Sequence, residues 1–349
     1  MTETEARVTS DDALVRRLAT IYDVAQVAGV SHQTVSRLLK GGSGIRPANR
    51  TRIEQALKDL DYRPNLAARS LATNRSQRIG AMVYEMLEMG PSKMVQGASD
   101  AAREAGYLLD IVSLDPRDER AVDEALALLA QQDLAGILAF APTDQLNRVM
   151  ASSHFSVPVY VHTEEDDRRR GHEISLNGHG MRVLVEHLVD LGHRRFFHVS
   201  GPLVWLSARN RTAAYERALA THSLVSAGSL AGDWSAASGY EAGLRVPLDR
   251  GVTAVVAAND QMALGVLLAL SERGVRVPGD ISVVGFDDIP EARYFQPPLS
   301  TVRLDFGRQG RIALKRLLTL IGDDNALPEP AGVLPELKSR SSSGPVAAT

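Results

Sequence analysis

Four residues in the second half of the chain have side chains suited to holding a small polar molecule: Arg211, Trp234, Asn259 and Asp287. A guanidinium, an amide and a carboxylate can direct hydrogen bonds at sugar hydroxyls while an indole covers an apolar sugar face. Two of them end short apolar runs, Asn259 after TAVVAA and Asp287 after ISVVGF. In open α/β sheets, ligands sit beyond the carboxyl ends of the strands. Singly, Arg211 reads as a surface ion-pair partner, Trp234 as a core aromatic, and Asn259 and Asp287 as helix caps. Together they make a carbohydrate-shaped inventory.

A different chemistry is written near the start, in IYDVAQVAGVSHQTVSRLLK, Ile21 to Lys40. Ala25 is small where two helices would cross, Gly29 permits a turn and Val35 fills the contact between helices, the demands of a helix-turn-helix. The second helix then presents His32, Gln33, Ser36 and Arg37 to base edges and phosphates. Gln pairs bidentately with adenine, and Arg with guanine or phosphate. The bland alternative is a three-helix bundle with a solvated polar face. Charge favours the first reading: residues 19 to 78 hold ten Lys/Arg against four acids, so they carry +6 of a total of -3 and leave -9 for the remainder. A basic module on an acidic body suggests a polyanion-binding head.

Enzyme and metal signatures are missing. No GxSxG, HExxH or GxxxxGK[ST] occurs. Gly178-His179-Gly180 begins like a dinucleotide fingerprint, but Val183 stands where the third glycine belongs, so it reads as a helix start. His187, His193 and His198 lack metal-ligand spacing and cysteine partners and read as solvated or hydrogen-bonded histidines. No catalytic residue, cofactor or metal is expected.

The elements that must position these groups follow from composition and pattern. The 349 residues, 44% hydrophobic and 23% charged, predict two or three globular domains. No apolar run approaches the ~18 residues of a membrane span. An acidic N-terminus without an apolar core and the absence of cysteine point to the cytoplasm, with nucleoid association through DNA. Residues 1–18 read as a flexible tail. A three-helix unit is expected over 19–64: a Thr20/Asp23 capping box before Ile21 to Ala28, Ser31 capping His32 to Leu39, and Pro47 opening a third helix. Residues 65–77 read as a linker containing a two-turn helix, too short to be stable alone.

From Ile79, apolar runs (IGAMVY, LLDIVSL, AGILAF, VPVYVH, HEISL, FFHVSG, TAVVAAN, ISVVGF, STVRL) alternate with helical stretches, which predicts parallel sheets covered on both faces. This body, 78–340, exceeds one comfortable core, and two doubly wound α/β lobes with a cleft between them are expected. They are an N-lobe of about 78–176 plus 304–333 and a C-lobe of about 177–303, with 341–349 a flexible tail.

The runs YDVAQVAGVSHQTVSRLLK and YRPNLAARSLA, then SGPLVWLSARNR, GDWSAASGYEAG, AANDQMALG, ISVVGFDDI and QPPLSTVRLDF, resemble the lactose/galactose repressor family in order from Thr20 to about Leu320. The later stretches are most similar to its lactose-responsive members. The resemblance implies a helix-turn-helix head, a hinge helix and a two-lobed periplasmic-binding-protein-like body. It implies DNA contacts by Thr20, Tyr22, Ser31 and Thr34 beside His32, Gln33, Ser36 and Arg37, and by Asn65, Ala68 and Leu71 of the hinge. Leu71 would wedge into the minor groove, which suits an apolar side chain between Arg69 and Arg75 on a marginal helix.

Arg211, Trp234, Asn259 and Asp287 fall at its inducer-contact positions. Departures from the lactose-responsive members are His32 for an aromatic residue, Tyr84 for Ser, Thr163 for Asp and Leu304 for Gln. Neither their operator sequence nor their ligand therefore carries over, and a galactoside is one of several β-linked sugars. The expected protein is a homodimeric repressor that a small carbohydrate releases from a palindromic operator. The dimer is the expected end point because the C-terminal KSRSSSGP has no apolar heptads. The rival reading is a periplasmic-type sugar-binding protein without DNA function.

Overall fold

Thr20 and Asp23 close a reciprocal capping box at the start of α1 (Ile21–Ala28): Asp23 Oδ2 accepts the Thr20 N–H at 2.7 Å while Thr20 Oγ1 accepts the Asp23 N–H. Gly29 ends the helix at φ +63°, a left-handed conformation that a side chain would strain. Ser31 Oγ accepts the Thr34 N–H at the start of α2 (His32–Leu39), and Pro47 opens α3 (Pro47–Asp59). Val24, Ala25, Ala28, Val35, Ile53 and Ala56 are buried where the three helices meet.

The computed structural model describes residues 19–39, 43–62, 76–86, 88–115, 117–172, 175–323 and 333–346. The chain divides into two compact units, Met1–Ser76 and Gln77–Thr349. The second unit holds two four-stranded parallel sheets. The first, in the order β2-β1-β3-β4, is built from β1 (Arg78–Tyr84), β2 (Leu108–Leu114), β3 (Gly136–Phe140) and β4 (Val159–His162). The second, β6-β5-β7-β8, is built from β5 (Phe196–Ser200), β6 (Ser226–Ala231), β7 (Ala254–Ala257) and β8 (Ser282–Val284).

Central strands such as β3 and β5 are buried at every residue, as strands covered by helices on both faces must be. The helices α4 (Met89–Glu104), α5 (Glu119–Ala130), α6 (Asp144–Ser152), α7 (Asp167–Arg170), α8 (Leu176–Asp190), α9 (Leu206–Thr221), α10 (Ala236–Leu244) and α11 (Asp260–Glu272) connect them. After β9 (Thr301–Arg303), α12 (Phe306–Ile321) returns to the first sheet and packs on α4 and β4, and β10 (Glu336–Lys338) pairs antiparallel with β9. The α4–α12 crossing requires glycine: a Cβ on Gly97 would lie 1.9 Å from the Gly307 carbonyl oxygen, and one on Gly310 1.8 Å from that of Met94.

Three details differ from the sequence expectation. HEISL is not a strand at its described end: Ser175 Oγ accepts the Gly178 N–H and starts α8 at Leu176, so GHG lies inside a helix. A serine cap outweighs two apolar residues here, while Glu173 and Ile174 lie outside the described residues. Strand β6 was not expected because SAGSLA is small and polar, which an edge strand tolerates. Residues 341–346, expected as a loose tail, are fastened along edge strand β8. Ser342 is fully buried, its Oγ donates to the Val283 carbonyl, and its own carbonyl accepts the Val283 N–H. An edge strand leaves backbone groups unpaired, and this segment satisfies them.

Candidate ligand cleft and DNA-reading face

The carboxyl ends of both parallel sheets open into one cleft of about 780 Å³, open mouth included, the place where open α/β sheets hold ligands. All six residues predicted for ligand contact, Tyr84, Thr163, Arg211, Trp234, Asn259 and Asp287, line it. Leu304, expected to alter the pocket, does not. It follows β9 into the apolar core and is buried there.

Arg211, on α9 and only 4% exposed, organises the C-lobe wall. Its Nε donates to Asn177 Oδ1 at 2.7 Å, Nη1 to the Ala258 carbonyl and Nη2 to Asp287 Oδ1 at 3.0 Å. The guanidinium lies over the Phe286 ring, 3.9 Å from its centroid, and 5.6 Å from that of Trp234. Asn177 in turn donates to Glu164, whose other oxygen accepts from Asn210 Nδ2 at 3.0 Å. The result is a continuous chain from Asp287 through Arg211, Asn177 and Glu164 to Asn210. Three of the five guanidinium N–H groups are used within the chain.

Burial shifts the titratable groups on both sides of the cleft. It pushes the Asp287 carboxyl up to about 6 against the opposing pull of Arg211. It raises Glu164 as well, opposed by its bond to Asn210 and the charge of Arg211. The Tyr84 phenol is driven far above its ordinary value by burial and by neighbouring Glu164. The backbone is strained at the same place, with φ +76° at Trp234, +109° at Asp287 and +52° at Asp288. Left-handed conformations of non-glycine residues persist only where surroundings enforce them. Asn259 does so for Trp234: its Oδ1 caps α11 at the Met262 N–H and its Nδ2 holds the Trp234 carbonyl at 2.9 Å. Gly201 leaves room for the indole, since a Cβ there would lie 2.2 Å from the ring. The helix-cap reading of Asn259 is therefore correct, and the residue faces the cleft as well.

Sequence reasoning missed Glu85, Glu88, Glu164, Asn177 and Trp205, all in the cleft wall. Glu85 follows β1 directly and Glu164 follows β4 after Thr163, so the rule that selected Asn259 and Asp287 would have found them. Trp205 packs against Tyr84, ring centroids 5.1 Å apart, and is 2% exposed. At this edge the lobes are tied by the Leu206 N–H to the Pro142 carbonyl and by Arg209 to Asp144 at 3.0 Å.

His187, His193 and His198 are structural. His187 contacts Ser343, His193 bridges Thr253 and the Gly344 carbonyl, and His198 contacts the Val256 carbonyl. Among the described residues no cluster of His, Cys, Asp or Glu could hold a metal, and no helix is long and apolar enough to cross a membrane.

In the first unit, Val35 points α2's apolar side inward and leaves Ser31, His32, Gln33 and Arg37 exposed, with Thr20, Thr34 and Ser36 half-buried. Tyr22 is 65% exposed and stacks at a tilt on His32, centroids 5.0 Å apart. Gln33 and Arg37 are one helical turn apart and share a face. Asn65, Ala68 and Leu71 lie outside the described residues.

A three-helix reader and a two-lobed ligand-binding body in one chain define a ligand-responsive DNA-binding protein. The family model for bacterial regulatory proteins of the lacI family matches residues 20–65, and that for periplasmic binding protein-like domains matches residues 185–343. The lactose operon repressor of Escherichia coli (strain K12) is 35% identical over 304 residues, 86% of this chain and 84% of that protein. The solved lac repressor dimer bound to operator and the anti-inducer ONPF superposes with a TM-score of 0.79 at 32% identity, covering 94% of this chain and 100% of that one. The transcriptional regulator CelR in its cellobiose complex gives 0.66 at 28% identity, covering 93% and 100%. The chain belongs to the lacI family and is a transcriptional regulator, not an enzyme.

Proposed function

We propose that this regulator is a carbohydrate-responsive repressor acting in the cytoplasm as a homodimer on a palindromic operator, each head reading one half-site. His32, Gln33 and Arg37 on α2 meet base edges and phosphates in the major groove, supported by Thr20, Tyr22, Ser31, Thr34 and Ser36. The bound sugar lies against Arg211, Asn259 and Asp287 with Trp234 over an apolar face, and Tyr84 and Thr163 contribute from the N-lobe. The observation that carries this reading is the pre-ordered chain Asp287–Arg211–Asn177–Glu164, backed by Asn210, lining a cleft in the same polypeptide as an exposed recognition helix. The operator-bound and cellobiose-bound relatives support both halves.

The test selects duplexes from random sequence with the full chain and with residues 77–349 alone. The full chain is expected to enrich a palindrome and the fragment none. Equal duplex affinity for the two would remove the DNA-reading half of the proposal.

A further inference from the structure

The loop that carries Asp287 into the cleft is held from behind by charges that lie outside it. Asp287 and Asp288 both take left-handed backbone conformations, and such strain persists only where the surroundings enforce it. The Asp287 N–H is fixed by the Val302 carbonyl at 2.8 Å, whereas the Asp288 N–H meets the Thr301 hydroxyl at a long 3.4 Å. The Asp288 side chain is gripped more firmly. Its carboxyl is almost wholly buried, and both oxygens are taken: Arg303 Nε donates to Oδ2 at 2.7 Å and Arg340 Nη2 to Oδ1 at 2.5 Å. Burial opposes ionisation of this group, yet Arg340 and Arg303 hold it below the ordinary carboxylate range.

Neither arginine is among the residues lining the cleft. Arg303 ends β9. Arg340 lies between β10 and the segment fastened along β8, where its backbone N–H donates to Ser300 Oγ at 2.8 Å and its Nη1 to the Leu299 carbonyl at 2.7 Å. Arg340 is the more enclosed, its side chain 16% exposed against 45% for Arg303. A third buried acid closes on the same loop: Asp260, at the head of α11, accepts the Ile289 N–H at 2.9 Å and the Thr301 hydroxyl at 2.6 Å. Withdrawing one guanidinium leaves Asp288 desolvated and half-paired beside two other acids, and the loop must shift for it to reach water. That shift carries Asp287 with it. We propose that Arg340 and Arg303 are positioning residues for the ligand: through Asp288 they hold Asp287 where it meets a bound molecule, so the C-terminal segment sets ligand affinity without touching the ligand. This rests on the reading of Asp287 as a ligand contact and extends it beyond the cleft. An arginine that only fastened the tail would lower stability and leave affinity where it was.

Full-length R340M, R340K and R303M are compared with the wild type in two measurements. Calorimetric titration with lactose, cellobiose, D-galactose and D-glucose reads affinity, and hydrogen–deuterium exchange of the sugar-free chain reads the order of residues 285–289. For the sugar that binds the wild type most tightly, R340M is expected to bind at least about tenfold more weakly, the loss of one hydrogen bond to a charged group. R340K, which keeps a cation within reach of Asp288, is expected to bind more tightly than R340M, and R303M to lose less because Arg303 is half in water. Amides of residues 285–289 are expected to exchange at least about tenfold faster in R340M while those of β7 stay protected. Wild-type affinity in R340M, or a loss of protection that residues 285–289 share equally with β7, overturns the positioning role and leaves the carbohydrate reading standing. Where R340M does not fold, R303M decides by the same criteria. If none of the four sugars binds the wild type, the carbohydrate reading falls and exchange decides alone: faster exchange confined to residues 285–289 upholds the positioning role, and unchanged protection there overturns it.

Discussion

The recognition helix and the ligand cleft place polar groups by opposite means. On α2, Gln33 and Arg37 stand in solvent on a helix anchored from behind by buried Val35, and no side chain among the described residues holds them. In the cleft, Arg211, Asp287 and Asn177 are buried and bonded to one another, and Arg211 draws its three partners from α8 and two loops. A solvent-exposed reader can lose one side chain and keep its fold. A buried polar chain cannot, because removing one member leaves the others desolvated and unpaired.

This difference orders the expected effects. The largest is Arg211→Ala, which strips partners from Asp287, Asn177 and the Ala258 carbonyl. It is expected to lower the body's unfolding free energy by about 3 to 5 kcal/mol in denaturant titration at pH 7. The loss should shrink at pH 5, where Asp287 can take up a proton. A change below about 1 kcal/mol at pH 7 would place the guanidinium outside any load of stability.

Next comes buried His198, whose ring nitrogen contacts the Val256 carbonyl and whose pKa burial depresses to about 4. At pH 7 it is neutral folded or unfolded. Between about pH 6.5 and 4 the unfolded chain gains a proton that the folded one refuses, so stability falls as pH falls, by up to about 3 kcal/mol from this group. His198→Asn is expected to be less stable than the wild type at pH 7 and to lose less on acidification; parallel pH profiles for the two would contradict the assignment.

On the reader, Gln33→Ala should weaken binding to the best duplex by about 1 to 3 kcal/mol and relax preference at one base pair per half-site. The body's unfolding midpoint should stay where it was. Should that midpoint drop, Gln33 would be carrying part of the body's fold, against the account of an exposed side chain that nothing else depends on. The smallest effect is Thr20→Ala, which removes one capping hydroxyl and should destabilise the head by about 1 kcal/mol, seen as earlier loss of helical signal.

How much could be read in advance follows from the same contrast. The head was legible almost to the residue because its signals are local: Thr20 with Asp23, Gly29, Ser31 and Pro47 all act within a turn of where they sit. The parallel lobes were legible from alternating apolar runs, and Asn259 and Asp287 from their place at strand ends. Trp205 and Asn177 were not, since what makes them part of the site is contact across tens of residues of sequence, as with Arg211 and Asn177. Ser342 escaped for the same reason. A polar, proline-containing terminus reads as loose until the edge strand that needs it is known.

A ligand in the cleft is expected to change how tightly the reader holds DNA, and one titration tests this. The full chain's affinity for its selected palindrome is measured with and without a saturating concentration of the sugar that most raises its melting temperature. A change of about 5- to 150-fold is predicted, the range of ordinary coupling free energies. Identical binding curves with the sugar demonstrably bound would contradict it.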